Sequence, residues 1–438
     1  RPCWTCISGR TGRGRKSGSR PSNPGKSGYS EGVNIVYLDN NATTAVAPEV
    51  AAAMQPYLGD RYFNPSSMYG PAARVARDIQ AARADVAALV GAPPDRLFFT
   101  GCATESNNWA IFGAARARPG RRHIVTSAVE HPSVREVCRE LAREGYDVTE
   151  VPVDREGRIS MDAYVRALRP DTLLVTMMHA NNETGVIFPI EGLSRIAKET
   201  DPGILFHTDA TQSVGKLPID LERAFRHVDL LSFSGHKLHA PKGVGALFVR
   251  RGAAVRPYLV GGHQEQGQRA GTENVAHILG FGMAAQLARR HLDDEAAIRA
   301  RRDRLQAELA RRIPMMEING GGAPRLPNTL NLAVHFVEGE AMLYQLDAHG
   351  ICASSGSACT SGSLEPSHVL TAMNVPFTAR HGSIRFSLSR YTTDADVDRV
   401  IEVFPRIVAA LRRICPYWDV ARNAPRSDAA PAAPGAVA

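Results

Sequence analysis

A lysine and an aspartate, each closing an apolar run, form the most chemically telling pair in this chain. Lys237 ends the run Ser-Phe-Ser-Gly-His-Lys (232–237), and Asp209 ends the run that finishes His207-Thr208-Asp209. Pyridoxal phosphate asks for such a pair: an amine to hold its aldehyde covalently, and a carboxylate to keep its ring nitrogen protonated so that the ring accepts electrons. Lys237 and Asp209 are the candidates for those two tasks, and pyridoxal 5'-phosphate is the expected cofactor.

Other polar groups recur at the ends of apolar runs, where ligands of an α/β sheet collect. Gly101-Cys102-Ala103-Thr104-Glu105-Ser106 follows one run and opens a helical pattern. Backbone N–H groups at Ala103 and Thr104, with the Thr104 hydroxyl, can meet a phosphate at the positive end of such a helix. Taken alone, that stretch reads better as a helix cap without a ligand. Glu130-His131-Pro132 ends the next run, where His131 could stack on a cofactor ring or shuttle a proton; a lone histidine is more often structural. Asn181-Asn182-Glu183-Thr184-Gly185 ends another and by itself also reads as a turn. Gln212, Ser234 and His236 complete the set. Chemistry-bearing groups at five strand ends leave a purely structural explanation of all of them weak.

Positioning these groups requires a sheet. The runs 96–100, 123–128, 148–153, 173–178, 204–208, 230–233 and 246–249 read as strands, several of them continuous rather than alternating, which implies burial on both faces and a mainly parallel sheet wrapped by helices. Helical patterns span 72–90, 105–117, 133–144 and 190–200. One long helix is expected over 274–312, bridging a large and a small domain. The small domain then shows a strand at 329–334, a helix at 340–349 and a strand at 383–388. The expected division is a basic tail over 1–33, a large domain over 34–290, a small domain over 291–418 and a frayed tail over 419–438; the segment 34–50 is a candidate to pack on the small domain.

The chain has 438 residues, is 44% hydrophobic and carries a formal charge of +8. Residues 1–33 hold seven Arg/Lys and one acid, so six of those charges sit in the tail and +2 remains for the rest. No basic face for a nucleic acid is implied. Rich in Gly, Ser, Arg and Pro, the tail buries too little to offset its ordering entropy and is expected to be disordered, with the natural start near Val33. Cys3-Trp4-Thr5-Cys6 has redox-motif spacing but lacks a strand before it and a helix after it. No run long and apolar enough for a membrane span is present, and the seven cysteines are odd in number and scattered, so the expected location is the cytoplasm.

From 37 to 417 the sequence resembles the cysteine desulfurases of the class-V aminotransferase group, and among them the nitrogen-fixation type. The motifs that carry the likeness are Tyr37-Leu38-Asp39-Asn40-Asn41-Ala42-Thr43-Thr44, Phe63-Asn64-Pro65-Ser66-Ser67, Ala103-Thr104-Glu105-Ser106, His207-Thr208-Asp209-Ala210-Thr211-Gln212, Ser234-Gly235-His236-Lys237, Gly261-Gly262-His263-Gln264-Glu265, Arg269-Ala270-Gly271-Thr272-Glu273-Asn274, Cys415-Pro416-Tyr417 and above all Ser354-Ser355-Gly356-Ser357-Ala358-Cys359-Thr360-Ser361-Gly362. Gln266 and Gln268 stand where the group often places arginines.

The resemblance implies an α/β fold of type I among pyridoxal-phosphate transferases, with a seven-stranded, mainly parallel sheet in the large domain and a smaller α+β C-terminal domain. It implies that Lys237 tethers the cofactor, Asp209 partners its ring nitrogen and His131 stacks on the ring. Gln212 and Asn182 would bond the ring hydroxyl and hold the substrate. Ala103, Thr104, Ser234 and His236 would hold the phosphate, joined by Thr272 from the partner subunit of a homodimer. Arg385 would grip the substrate carboxylate through a two-pronged guanidinium pair; without the likeness, a plain salt bridge serves as well.

Cys359 is the implied nucleophile. A freed Lys237 amine acts as general base, and the Cys359 thiolate takes the sulfur of L-cysteine, leaving alanine and a persulfide. A small-residue loop over 354–363 suits a thiol that must attack and then present its sulfur elsewhere. No resident metal is implied, although Cys359 could transiently share an iron–sulfur cluster with a scaffold. That scaffold is the implied acceptor, serving nitrogenase on the closer likeness. A housekeeping iron–sulfur or tRNA-thiolation desulfurase, a selenocysteine lyase, an aminotransferase and a non-catalytic binding protein of the same fold stay open as alternatives.

Overall fold

The computed structural model describes residues 35–355 and 367–426. In chain order its strands are β1 Val36–Tyr37, β2 Leu97–Thr100, β3 His123–Ser127, β4 Asp147–Val151, β5 Thr172–Thr176, β6 Leu205–Asp209, β7 Leu230–Ser234 and β8 Gly245–Val249, followed by β9 Met316–Ile318, β10 Thr329–Val334, β11 Ile351–Cys352 and β12 Ser383–Ser387. The seven strands from β2 to β8 form one sheet in the order β2-β8-β7-β6-β5-β3-β4. Only β8 runs against its neighbours; the remaining pairs are parallel. The mainly parallel seven-stranded sheet read from the sequence is therefore present.

Continuous apolar strands follow from this layering. Every residue of β2, β3, β5, β6 and β7 is buried, because helices cover both faces and leave no side for polar alternation. At the edge, β4 buries only Val151 fully. Since β2 runs in the same sense as β7, the carboxyl ends of β2, β3, β5, β6 and β7 share one rim. Opposed β8 brings its first residue there too: Gly245 pairs with both Thr100 and Ser234.

A second apolar cluster lies around an antiparallel sheet ordered β12-β10-β9, with the helices Glu295–Arg312 and Asp394–Ile414 contributing Leu305, Leu309, Val400 and Phe404. The segment near the start of the described chain touches both clusters. Val36 and Leu38 belong to the second, through the parallel pairing of β1 with β11, whereas Ala47 and Val50 belong to the first.

Three features depart from expectation. The long helix over 274–312 is two helices, Val275–Arg290 and Glu295–Arg312, joined by a tight turn at Leu292–Asp294. His291 Nδ1 lies 2.7 Å from Asp294 Oδ2 across the turn, and the acidic residues there favour a new helix N-terminus. The first helix buries Ala284, Ala285 and Leu287 in one core and the second buries Ile298 and Leu305 in the other, so the break lies where the chain changes core. Next, Asp394–Ile414 is a helix that the sequence reading did not name, opened by a capping box between Thr393 and Asp396. Finally, Trp418–Asp419 pairs with Ala424–Pro425 in a short hairpin where a frayed tail is expected from 419. Trp418 is buried and lies under Arg412, 4.0 Å from guanidinium carbon to ring centre. Among the described residues no helix is long and apolar enough to cross a membrane.

Candidate active site

A cavity of about 400 Å³ opens at the rim where those strands end. Ala103, Thr104, His131, Asn182, Asp209, Gln212, Ser234, His236, Lys237 and Arg385 all line it. Ten residues drawn from widely separated segments thus converge on one space. Thr272 does not line the cavity; it is exposed in the stretch between β8 and the helix Val275–Arg290. Cys359 and the rest of its loop from residue 356 on lie outside the described residues, as does the Cys-Trp-Thr-Cys spacing at 3–6. Before that stretch, Ser354 pairs backbone to backbone with Arg385, and after it His368 lines the cavity.

Asp209 projects from the last position of β6 and is 6% exposed. Its Oδ1 accepts from the Thr211 backbone N–H (2.9 Å), and its Oδ2 accepts from Asn107 Nδ2 (2.7 Å). Those two donors, one from the backbone and one from a side chain, fix the direction in which the carboxyl group points. Lys237 follows β7 on a single tight turn, Gly235–Lys237. Its Nζ donates to the carbonyl oxygens of Asn41 (2.6 Å) and Ala42 (2.7 Å). Gln212 Nε2 also donates to the Asn41 carbonyl, at 3.0 Å.

Burial sets the charge of the two cavity histidines. Desolvation lowers the His131 pKa, helped by the nearby Lys237 charge and opposed by Asp209. His236 is pushed down to about 4 by burial first and then by Lys237, Lys242 and Lys216. Both rings are therefore neutral at pH 7, so a phosphate met by His236 meets a dipolar hydrogen-bonding ring and not a cation.

Arg385, from the middle of β12, is 2% exposed. Its Nη2 donates to Asp39 Oδ1 (2.7 Å) and its Nη1 to the Asn182 carbonyl (2.9 Å), while its buried Nε has no partner. The salt bridge raised as a plain alternative for Arg385 exists, but it is buried and sits at the cavity wall. Nearby carboxyls pay for burial: Glu130 rises to about 8 and Glu183 to about 7, desolvation being the leading cause in each.

Several site residues escaped the sequence reading. Asp39 and Asn41 entered it only as letters of a motif, because no periodicity points from the chain start to Arg385 or Lys237. Asn107 had a usable signal: it lies one helical turn beyond Ala103, on the same face of the helix Ala103–Ala117.

The donor set fits pyridoxal phosphate. A primary amine and a buried carboxyl group that accepts two hydrogen bonds share one cavity, and the helix Ala103–Ala117 begins at its wall. Gly245 leaves that helix start its place: a Cβ there would come within 2.8 Å of the Cys102 carbonyl carbon and 2.9 Å of the Phe233 oxygen. The family model described as aminotransferase class-V matches residues 36–400. The chain belongs to the class-V aminotransferase family.

Within that family its likeness is to cysteine desulfurases. The cysteine desulfurase of Gluconacetobacter diazotrophicus is 54% identical over 395 residues, covering 90% of this chain and 98% of its own. Cysteine desulfurase NifS of Azotobacter vinelandii is 51% identical over 386 residues, covering 88% and 95%. A solved NifS-like protein superposes with a TM-score of 0.81 at 36% identity, covering 86% of this chain and all of its own. The structure described as SspA in complex with cysteine gives 0.72 at 36% identity, covering 82% and 99%. The motif-based resemblance, the type I fold and the dependence of this class-V family member on pyridoxal phosphate stand on these likenesses.

Proposed function

We propose that this protein is a cysteine desulfurase, taking sulfur from L-cysteine, releasing L-alanine and carrying the sulfur as a persulfide on Cys359. The observation that carries the reading is the convergence of Lys237, Asp209 and Arg385 on one cavity, in a chain that is 51–54% identical to named cysteine desulfurases. Pyridoxal phosphate, when bound, supplies an electron sink for the α-carbon of an amino acid.

Arg385 binds the substrate carboxylate. Its planar fork offers two parallel donors, and burial at 2% exposure strengthens the contact. Asp209 holds the proton on the cofactor's ring nitrogen, as a carboxylate fixed by two donors can. Ser234, His236 and the start of the helix at Ala103 and Thr104 hold the phosphate, with Thr272 of a partner copy completing it in a homodimer. Gln212 and Asn182 orient ring and substrate, and His131 covers the ring. Lys237 moves the proton at the substrate α-carbon. The Cys359 thiolate then bonds the substrate sulfur; as the Cβ–S bond breaks, its electron pair stays with Cβ, which takes a proton and becomes the alanine methyl group.

The acceptor in this reading is an iron–sulfur scaffold, dedicated to nitrogenase because a relative at 51% identity is named NifS, and the setting is the reducing cytoplasm, in keeping with scattered thiols. Incubating the purified protein with L-cysteine and dithiothreitol tests the activity. Sulfide and alanine should appear in equal amounts; alanine formed only when a keto acid is added would replace this reading with a transaminase.

A further inference from the structure

We infer that Asn107 and Ser133 are positioning residues that fix the tautomer of His131, leaving its Nδ1 as an acceptor and placing the ring proton on Nε2. The hydrogen bonds that run outward from Asp209 to His131 each have a defined direction. A carboxylate only accepts, so the amide group facing Asp209 Oδ2 at 2.7 Å must present its nitrogen. The same Asn107 nitrogen lies 2.9 Å from Ser133 Oγ. An NH₂ group carries two hydrogens and accepts nothing in this geometry, so Ser133 Oγ is the acceptor there too.

Accepting from Asn107 leaves the Ser133 hydroxyl its one hydrogen and a second lone pair, so its contact with His131 Nδ1, 2.8 Å away, takes its direction from the other group that meets Nδ1. The Ser133 backbone N–H also points at Nδ1, at 3.2 Å, where His131 caps the helix Pro132–Arg143. Two donors therefore converge on one ring nitrogen. A hydrogen on Nδ1 would oppose both, so the neutral ring carries it on Nε2. Burial and the Lys237 charge disfavour adding a second proton, against the opposing pull of Asp209.

The consequence deepens the desulfurase reading and rests on it in one respect, the placement of His131 against the cofactor. A neutral ring with Nε2–H is a donor and does not act as the base through Nδ1. The proton at the substrate α-carbon is left to Lys237, and the Asp209 carboxyl group is linked to His131 through two side chains, neither of which serves the cavity chemistry as acid or base.

The test is nitrogen NMR of the holoenzyme labelled with ¹⁵N-histidine, with His131→Gln used to assign the His131 signals. The wild type should show a bare Nδ1 and a protonated Nε2 at pH 7. Ser133→Ala and Asn107→Leu should populate the other tautomer and raise the His131 pKa by about half to one unit, whereas Ser133→Thr should restore the wild-type pattern. Alongside, kcat should fall about fivefold to tenfold in Ser133→Ala with KM nearly unchanged, the loss expected for one ordinary hydrogen bond. An Nδ1–H signature in the wild type overturns the inference, as does an unchanged tautomer in both variants. Absence of alanine formation with the Nε2–H signature intact sinks the functional reading alone.

Discussion

Arg385, at the cavity wall, is held in an ion pair with Asp39, Nη2 to Oδ1 at 2.7 Å, with the arginine side chain 2% and the aspartate 19% exposed. The pair holds the guanidinium plane while the Nη1 donor is fixed on the Asn182 carbonyl. A lysine could keep one charge contact but not the fork. Arg385→Lys should therefore raise KM for L-cysteine about tenfold to a hundredfold, the range for lost charge-assisted hydrogen bonds, with kcat changed less. An unaltered KM in steady-state assays would remove Arg385 from substrate binding.

Cys359 sits among Ser, Gly, Ala and Thr, whereas Cys138 is buried and its thiol is pushed up to about 12, chiefly by desolvation. Cys352 is also raised by burial. Thiolate character decides nucleophilicity, so neither competes. Cys359→Ala should keep the visible absorbance of the bound cofactor and lose alanine formation with dithiothreitol. Retained turnover would move the nucleophile to another cysteine.

Glu130 is buried, accepts from Ser127 Oγ and the Met178 N–H through Oε1, and leaves Oε2 without a partner. Its pKa rises from the ordinary carboxyl value to about 8. The folded state then holds a proton that the unfolded state releases, so this group's contribution is full below about pH 4.5 and is lost as pH climbs towards 8. Glu130→Gln should flatten that decline, by up to about 1.4 kcal/mol per pH unit. Denaturant melts of both proteins between pH 5 and 8 with parallel pH dependence would contradict it.

Gly245 tolerates no side chain, since a Cβ would press on the backbone of Cys102 and Phe233. Backbone cannot swing aside as a flexible side chain can. Gly245→Ala should destabilise by about 1–3 kcal/mol, the usual range for overpacking, and weaken cofactor binding by displacing the helix start at Ala103. Thermal melts and cofactor titration of the apoprotein read both effects; wild-type values in each would show that the strand relaxes freely.

Much of the large sheet was legible because strands buried on both faces must be continuous apolar runs, and each lies within two residues of its expected bounds. Lys237, Asp209 and His131 were legible for a related reason: a polar residue that ends such a run stands at the rim of a sheet. The break at Leu292–Asp294 was not, because Ala, Leu and Arg suit a helix on both sides and the turn exists to change from one core to the other.

Residue types and their order along the chain determined the layered fold and named the groups able to hold a cofactor. Which groups meet was decided by tertiary structure alone. Asp39 reaches Arg385 across 346 residues and Asn107 reaches Asp209 across 102. Helix and strand periodicity report which face of one element is buried, and carry no information about which distant side chain will lie opposite; the direction of the bonds from Asp209 through Asn107 and Ser133 to His131 exists only once β6 and the helices Ala103–Ala117 and Pro132–Arg143 are packed together.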